Sequence, residues 1–290
     1  MNIQSHFSDR QSVTRRAFVG AGSLAVVGSL AGCLGRGFAR QDEVAEAVTE
    51  TFTPADVREL RVANAIGDVT VRALDTDGIN VRVLKRSVAG VRGLDDITVR
   101  IDVENGVLTV ATSIDDDVRW FTRSSPGTDV SITVPRGSTG PVVSSVESQL
   151  GGISLFDTRG DTVARTALGD VTAARVDGYL TLESDLGTVL ASDVGGLDRV
   201  HTNLGDIKVD LLGLRNDVEI GAELGKVVVG VAETLDLDVI AESNAGVDSD
   251  LPLTGVQSER GWFAGRLNAG GPRVHVFSDV GDISLRTIRQ

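Results

Sequence analysis

Apolar and polar residues alternate along most of this chain, and from about Val142 onward glycine interrupts the alternation at regular intervals. Gly151, Gly160, Gly169, Gly178, Gly187, Gly196 and Gly205 stand nine residues apart. Every second one sits in the same context: Val146–Leu155 reads VESQLGGISL, Ala164–Ala173 ARTALGDVTA, Leu182–Ala191 LESDLGTVLA and Val200–Val209 VHTNLGDIKV, so the full unit is 18 residues. Looser copies follow at Ile220–Val229 and Val276–Leu285, and an early one opens the series at Val62–Val71. Period two on both sides of a glycine predicts strand, tight bend, strand. If like positions stack in parallel strands, each apolar column becomes part of a core that no single unit could bury alone. The expected fold is all-β: a right-handed parallel β-solenoid or β-roll with 18-residue coils.

Two columns are expected to form much of that core. The residues just before the glycine are Ile66, Leu150, Leu168, Leu186, Leu204, Leu224 and Val280; those two after it are Val69, Ile153, Val171, Val189, Ile207, Val227 and Ile283. The third residue before the glycine is small or weakly polar (Asn64, Ser148, Thr166, Ser184, Thr202, Ala222, Ser278) and reads as packing beside the bend.

Between Asp75 and Pro135 the period disappears. Ile79–Ser87, Ile97–Val103, Val107–Ser113 and Val130–Val134 alternate as strands, and Asn105-Gly106 is a two-residue hairpin signal. These predict an antiparallel hairpin cap near the N-terminus. Leu251–Arg273, Gly-rich and without alternation, predicts a loop or cap near the far end.

The N-terminus has a different character. Thr14-Arg15-Arg16-Ala17-Phe18 resembles the twin-arginine export signal, with Arg15 and Arg16 as the recognised pair, and Phe18–Ala31 carries no charge. That run is too short and too rich in small residues for a membrane span. Leu30-Ala31-Gly32-Cys33 resembles a lipobox, which implies that Cys33, the sole cysteine, becomes the lipid-bearing mature N-terminus. The division expected is 1–32 signal peptide, 33–57 polar tether with a brief helix around Asp42–Glu50, and 58–290 β-repeat domain.

Repeat and flanking motifs together resemble the prokaryotic "putative adhesin" family of β-strand-repeat domains. The residues that carry the resemblance are Val62–Val71 with Gly67-Asp68, Val130-Ser131-Ile132-Thr133-Val134-Pro135, the repeated Gly-Asp-Val and Gly-Asp-Ile units, and Leu267-Asn268-Ala269-Gly270-Gly271-Pro272 followed by Val274-His275-Val276. The chain departs from the pattern at Gly151-Gly152, Gly187-Thr188 and Gly225-Lys226, where no Asp follows the glycine. The resemblance implies a repeat fold and brings no catalytic residues with it.

Composition narrows the function. Asp plus Glu is 41 against 28 Lys plus Arg, a net charge of -13, which argues against capture of nucleic acid or of anionic membrane by charge. Only Lys85, Lys208 and Lys226 are lysines, and this Lys-poor, Asp-rich balance resembles secreted proteins of salt-loving archaea. A lone cysteine leaves no internal disulfide and no CxxC zinc site. His201 and His275 hold different registers in their repeats and are expected on unrelated surfaces, and no nucleophile or phosphate motif is present. Neither an enzyme nor a cofactor is expected. Stacked calcium sites would need Asp at successive turns, and only Asp161 and Asp170 offer a weak isolated candidate. Asp after Gly otherwise reads as a turn residue bonding its own backbone.

The two tryptophans occur as Arg119-Trp120-Phe121-Thr122-Arg123 and Arg260-Gly261-Trp262-Phe263-Ala264-Gly265-Arg266. Rings flanked by guanidinium groups suit glycans or anionic polymers, and they equally suit plugging the open ends of a repeat stack, which is the reading preferred for these residues. The functional expectation is a lipid-anchored, extracytoplasmic surface-interaction or adhesion module without catalysis, held to the outer face of the membrane by lipid on Cys33 and facing an envelope glycan or protein ligand. An envelope structural or regulatory scaffold is the alternative, and a calcium-stabilised or polysaccharide-active β-helix the lesser one.

Overall fold

The computed structural model describes residues 44–88, 91–114 and 126–289. Arg15, Arg16 and Cys33 of the export segment, and Arg119, Trp120 and Phe121, lie outside these residues.

Each repeat glycine is a corner between a longer strand in one sheet and a shorter strand in the other. Val142–Leu150 is followed by Ile153–Phe156, Thr162–Leu168 by Val171–Ala174, Tyr179–Leu186 by Val189–Ser192, Gly196–Leu204 by Ile207–Leu211, and Val218–Leu224 by Val227–Ala232. Among the described residues the strands build two large mixed sheets, of eleven and twelve strands, and neither closes into a barrel. Pairing between these units is parallel: Thr166 faces Ser148 on one side and Ser184 on the other, and Val171 faces Ile153 and Val189, an offset of 18 residues. The residues five before, two after and four after each glycine point between the sheets. Val146, Leu182, Val200, Ile153, Val171, Val189, Leu155 and Val209 are at most 1% exposed, in one continuous apolar core.

Chain order and spatial order part at the C-terminal end. The strands Arg273–Val280 and Ile283–Ile288 insert between the unit Val218–Ala232 and the strands Leu237–Ser243 and Val247–Ser249. Leu251–Arg273, expected as irregular, holds an antiparallel hairpin of Thr254–Glu259 and Trp262–Leu267 beside Leu237–Ser243. No alternation marks it because Thr254–Glu259 is exposed on both faces and has no buried side to encode.

At the other end Ile97–Glu104 and Val107–Ile114 pair antiparallel through Asn105 and Gly106, whose φ values of 53° and 79° suit a tight hairpin turn. The expected tether requires correction. Its second part is a nine-residue strand, Val44–Phe52, antiparallel to Ile79–Ser87, and not a brief helix. Val48 and Phe52 pack against the core, a burial that a short isolated helix would lack.

Candidate functional site

The repeat glycines stack so closely that a Cβ on Gly187 would stand 2.0 Å from the carbonyl oxygen of Gly169, and one on Gly225 1.8 Å from that of Gly205. Their φ values, 157° and 155°, also lie in the range that excludes most side chains. The third residue before each glycine takes part in the same corner. Thr166 Oγ1 donates to the Gly151 carbonyl at 2.8 Å, Ser184 Oγ to Gly169 at 2.8 Å, Thr202 Oγ1 to Gly187 at 2.9 Å, and Ser278 Oγ to Gly225 at 2.8 Å. Ala222 is the exception in this column. These side chains are buried, so the hydroxyls satisfy carbonyls that have no strand partner; they are donors, not filler beside a bend.

This arrangement overturns one expectation about the core. With the hydroxyl and the carbonyl filling the inside of the corner, the chain turns before the glycine, and two successive residues face outward. Leu168, Leu186, Leu204 and Leu224 are 49 to 51% exposed and Val280 is 60% exposed; Ile66 and Leu150 at the near end are half-buried. The column expected inside is therefore an external ridge. Its members pair directly in register: Ile66 with Leu150, then Leu168, Leu186, Leu204, Leu224 and Val280. At about 4.8 Å between neighbouring strands, six spacings make a ridge about 29 Å long.

Acidic residues border it on both sides. The column preceding the ridge carries Asp185, Glu223 and Asp279; the column following the glycine carries Asp68, Asp170, Asp206 and Asp282. Among the described residues none of these seven forms an ion pair, and Lys226 is the only cationic side chain in either column. The aspartates after glycine do not bond their own backbone as expected. Asp68 Oδ1 accepts from the Gly152 amide at 2.8 Å, Asp170 from Thr188 at 2.7 Å and Asp206 from Lys226 at 2.8 Å, each in the next stacked unit. The recipients are the three positions without Asp. Alternation keeps carboxylates from stacking directly on one another, where like charges would repel.

Asp161 and Asp170, the weak metal candidates, serve separate corners. Asp161 accepts the Tyr179 amide at 2.9 Å and pairs with Arg215 at 2.6 Å, and these two partners, in that order, hold its carboxyl below the usual range. Arg215 also forks onto Asp198 and lies over the Tyr179 ring at 4.3 Å. No cluster of three or more His, Cys, Asp or Glu suited to a metal ion occurs among the described residues.

The histidines correct another expectation. His201 and His275 share one surface, their rings 6.1 and 5.6 Å from that of Phe277. Gly221 lies between His201 and Phe277 in register, and its missing side chain leaves the space that the Phe277 ring fills. His275 Nε2 stands 3.7 Å from Glu242 Oε1, beside a shallow groove of about 450 Å³ that Glu219, Asn244 and Asp279 also line. In the far hairpin Phe263 packs against the core, whereas Trp262 is half-buried outside that cluster. Arg266 pairs with Asp238 at 3.0 Å and Arg260 is exposed. The structure thus brings Arg260, Trp262, Phe263 and Arg266 into one hairpin. The ridge itself was missed in the sequence, although the hydroxyls held at one position in unit after unit signalled an inward polar column.

No family model matches the chain, and no curated protein matches it. Solved structures similar to it include a "putative cell adhesion protein" from Clostridium sporogenes ATCC 15579, 12% identical, TM-score 0.37, covering 84% of this chain and 100% of that one. A "putative adhesin" from Bacteroides fragilis NCTC 9343 is 12% identical, TM-score 0.40, covering 83% and 97%. Another from Parabacteroides merdae ATCC 43184 is 10% identical, TM-score 0.37, covering 83% and 96%.

Proposed function

We propose that this chain is an exported, lipid-anchored surface-interaction module without catalytic activity, built on a right-handed parallel β-solenoid of 18-residue coils. The observation that carries the reading is the ridge. Soluble chains seldom leave large apolar side chains in one contiguous row, and such a row marks a place where another surface sits. Stacking parallel coils supplies that row at fixed spacing on a stiff body, as an adhesive surface requires. The twin arginines and Cys33 support export and lipid attachment, which place the ridge outside the cell and near the envelope.

Retention of purified mature protein on isolated envelopes tests this reading, in a Cys33→Ser background so that lipid cannot contribute. Leu168→Ser with Leu186→Ser and Leu204→Ser should release the protein while its melting temperature changes little, because these side chains are half exposed. Unchanged retention of the triple variant would refute the ridge as the interaction surface. Cys33→Ser alone should move the mature protein out of the detergent phase.

A further inference from the structure

Resting on the reading of the ridge as an interaction surface, we infer that its occupant is a basic amphipathic helix of another polypeptide. Charge decides the class of partner. Seven carboxylates and one ammonium group border seven apolar side chains, so an apolar surface flanked by Lys or Arg gains on both sides. A second copy of this chain would set acidic columns against acidic columns in either orientation, since both flanks carry the same sign. An anionic lipid surface would be repelled in the same way.

Geometry decides the form. Ridge side chains recur about every 4.8 Å, close to the rise of about 5.4 Å per turn of a helix and shorter than the roughly 6.6 to 6.8 Å between same-face residues of a strand. A helix with its apolar stripe along the ridge would need about 20 residues to cover about 29 Å. Its flanking Lys or Arg stems could lie over the outer leucine edges while their charges reach Asp185 and Glu223 on one side and Asp170 and Asp206 on the other. Asp170 and Asp206 use one carboxylate oxygen for the next unit's amide, which leaves the second to face an incoming cation.

The test uses a labelled peptide of about 20 residues with Leu at helical spacing on one face and Lys beside it, titrated with the mature protein in fluorescence polarisation. Binding is expected, with an affinity that drops about tenfold or more in Leu186→Ser with Leu204→Ser. A comparable loss is expected in Asp170→Asn with Asp185→Asn and Asp206→Asn, where the amide acceptors survive and the charge does not. A peptide with Glu replacing Lys, or Ser replacing Leu at equal charge, should bind far more weakly. Equal binding of either control, or a ridge variant with unchanged affinity, overturns the assignment. So does ridge-dependent dimerisation in sedimentation, or ridge-dependent binding to phosphatidylcholine–phosphatidylglycerol vesicles. If the peptide fails while envelope retention still requires the leucines, the helix is the wrong occupant and the surface stands. If retention ignores the leucines, the surface itself falls.

Discussion

Replacing Gly187 with alanine adds one methyl group at the most crowded point of the corner. Its Cβ would meet the Gly169 carbonyl oxygen at 2.0 Å, where contacts below 3.0 Å essentially never occur, so the neighbouring units must part by roughly an ångström. Three hydrogen bonds depend on that spacing: Ser184 Oγ to the Gly169 carbonyl at 2.8 Å, the Gly169 amide to the Leu186 carbonyl at 2.9 Å, and the Thr188 amide to Asp170 Oδ1 at 2.7 Å. Leaving a buried partner unsatisfied costs about 1 to 3 kcal/mol, and holding alanine at a φ of 157° adds about 1 to 3 kcal/mol. Since some bonds will lengthen without breaking, the expected loss is about 3 to 6 kcal/mol. Gly255→Ala is a control without the clash, because Gly255 also has a positive φ, 61°, and nothing within 4 Å of the added carbon. It should cost about 1 to 2 kcal/mol. Urea unfolding followed by circular dichroism, compared at equal slopes, measures both. A Gly187→Ala protein no less stable than Gly255→Ala would refute the stacked-carbonyl account of the repeat.

Thr202→Val keeps the shape and removes the donor to Gly187, so it should cost about 1 to 3 kcal/mol in the same assay, whereas Val at the neighbouring Thr188 should be nearly silent. Thr188→Asp sets a carboxylate between Asp170 and Asp206, and should destabilise the fold by about 0.2 to 1 kcal/mol at neutral pH and low salt. High salt should erase that loss. The folded carboxyl of Asp161 lies below its usual value near 3.8, so its contribution is present above that pH and is lost as pH falls through the lower folded value. Arg215→Ala should therefore flatten the acid limb of the melting curve below about pH 4, and an unchanged limb would count against the Tyr179–Asp161–Arg215 arrangement.

Much of the architecture was legible without coordinates because it is local and repeated. Glycine at constant spacing, period-two alternation around it and the Asn105-Gly106 turn each follow from steric limits on one or two residues, and the strands observed at Ile79–Ser87 and Val107–Ile114 lie where alternation placed them. The side on which Leu168 or Leu186 lies was not legible. Period two carried through the corner turns these leucines inward, and nothing in one unit opposes that reading. What opposes it is the neighbouring unit, whose glycine carbonyl occupies the inside of the corner and requires Thr166 or Ser184 as donor. The same holds for His201 and His275, which share the Phe277 ring as a neighbour only because Arg273–Val280 inserts beside Val218–Leu224, out of chain order. Sequence alone determined the strands and the bends between them, since these depend on backbone sterics within a few residues. The tertiary structure decided which apolar column became core and which became ridge, because that choice depends on hydrogen-bond partners supplied from another repeat unit.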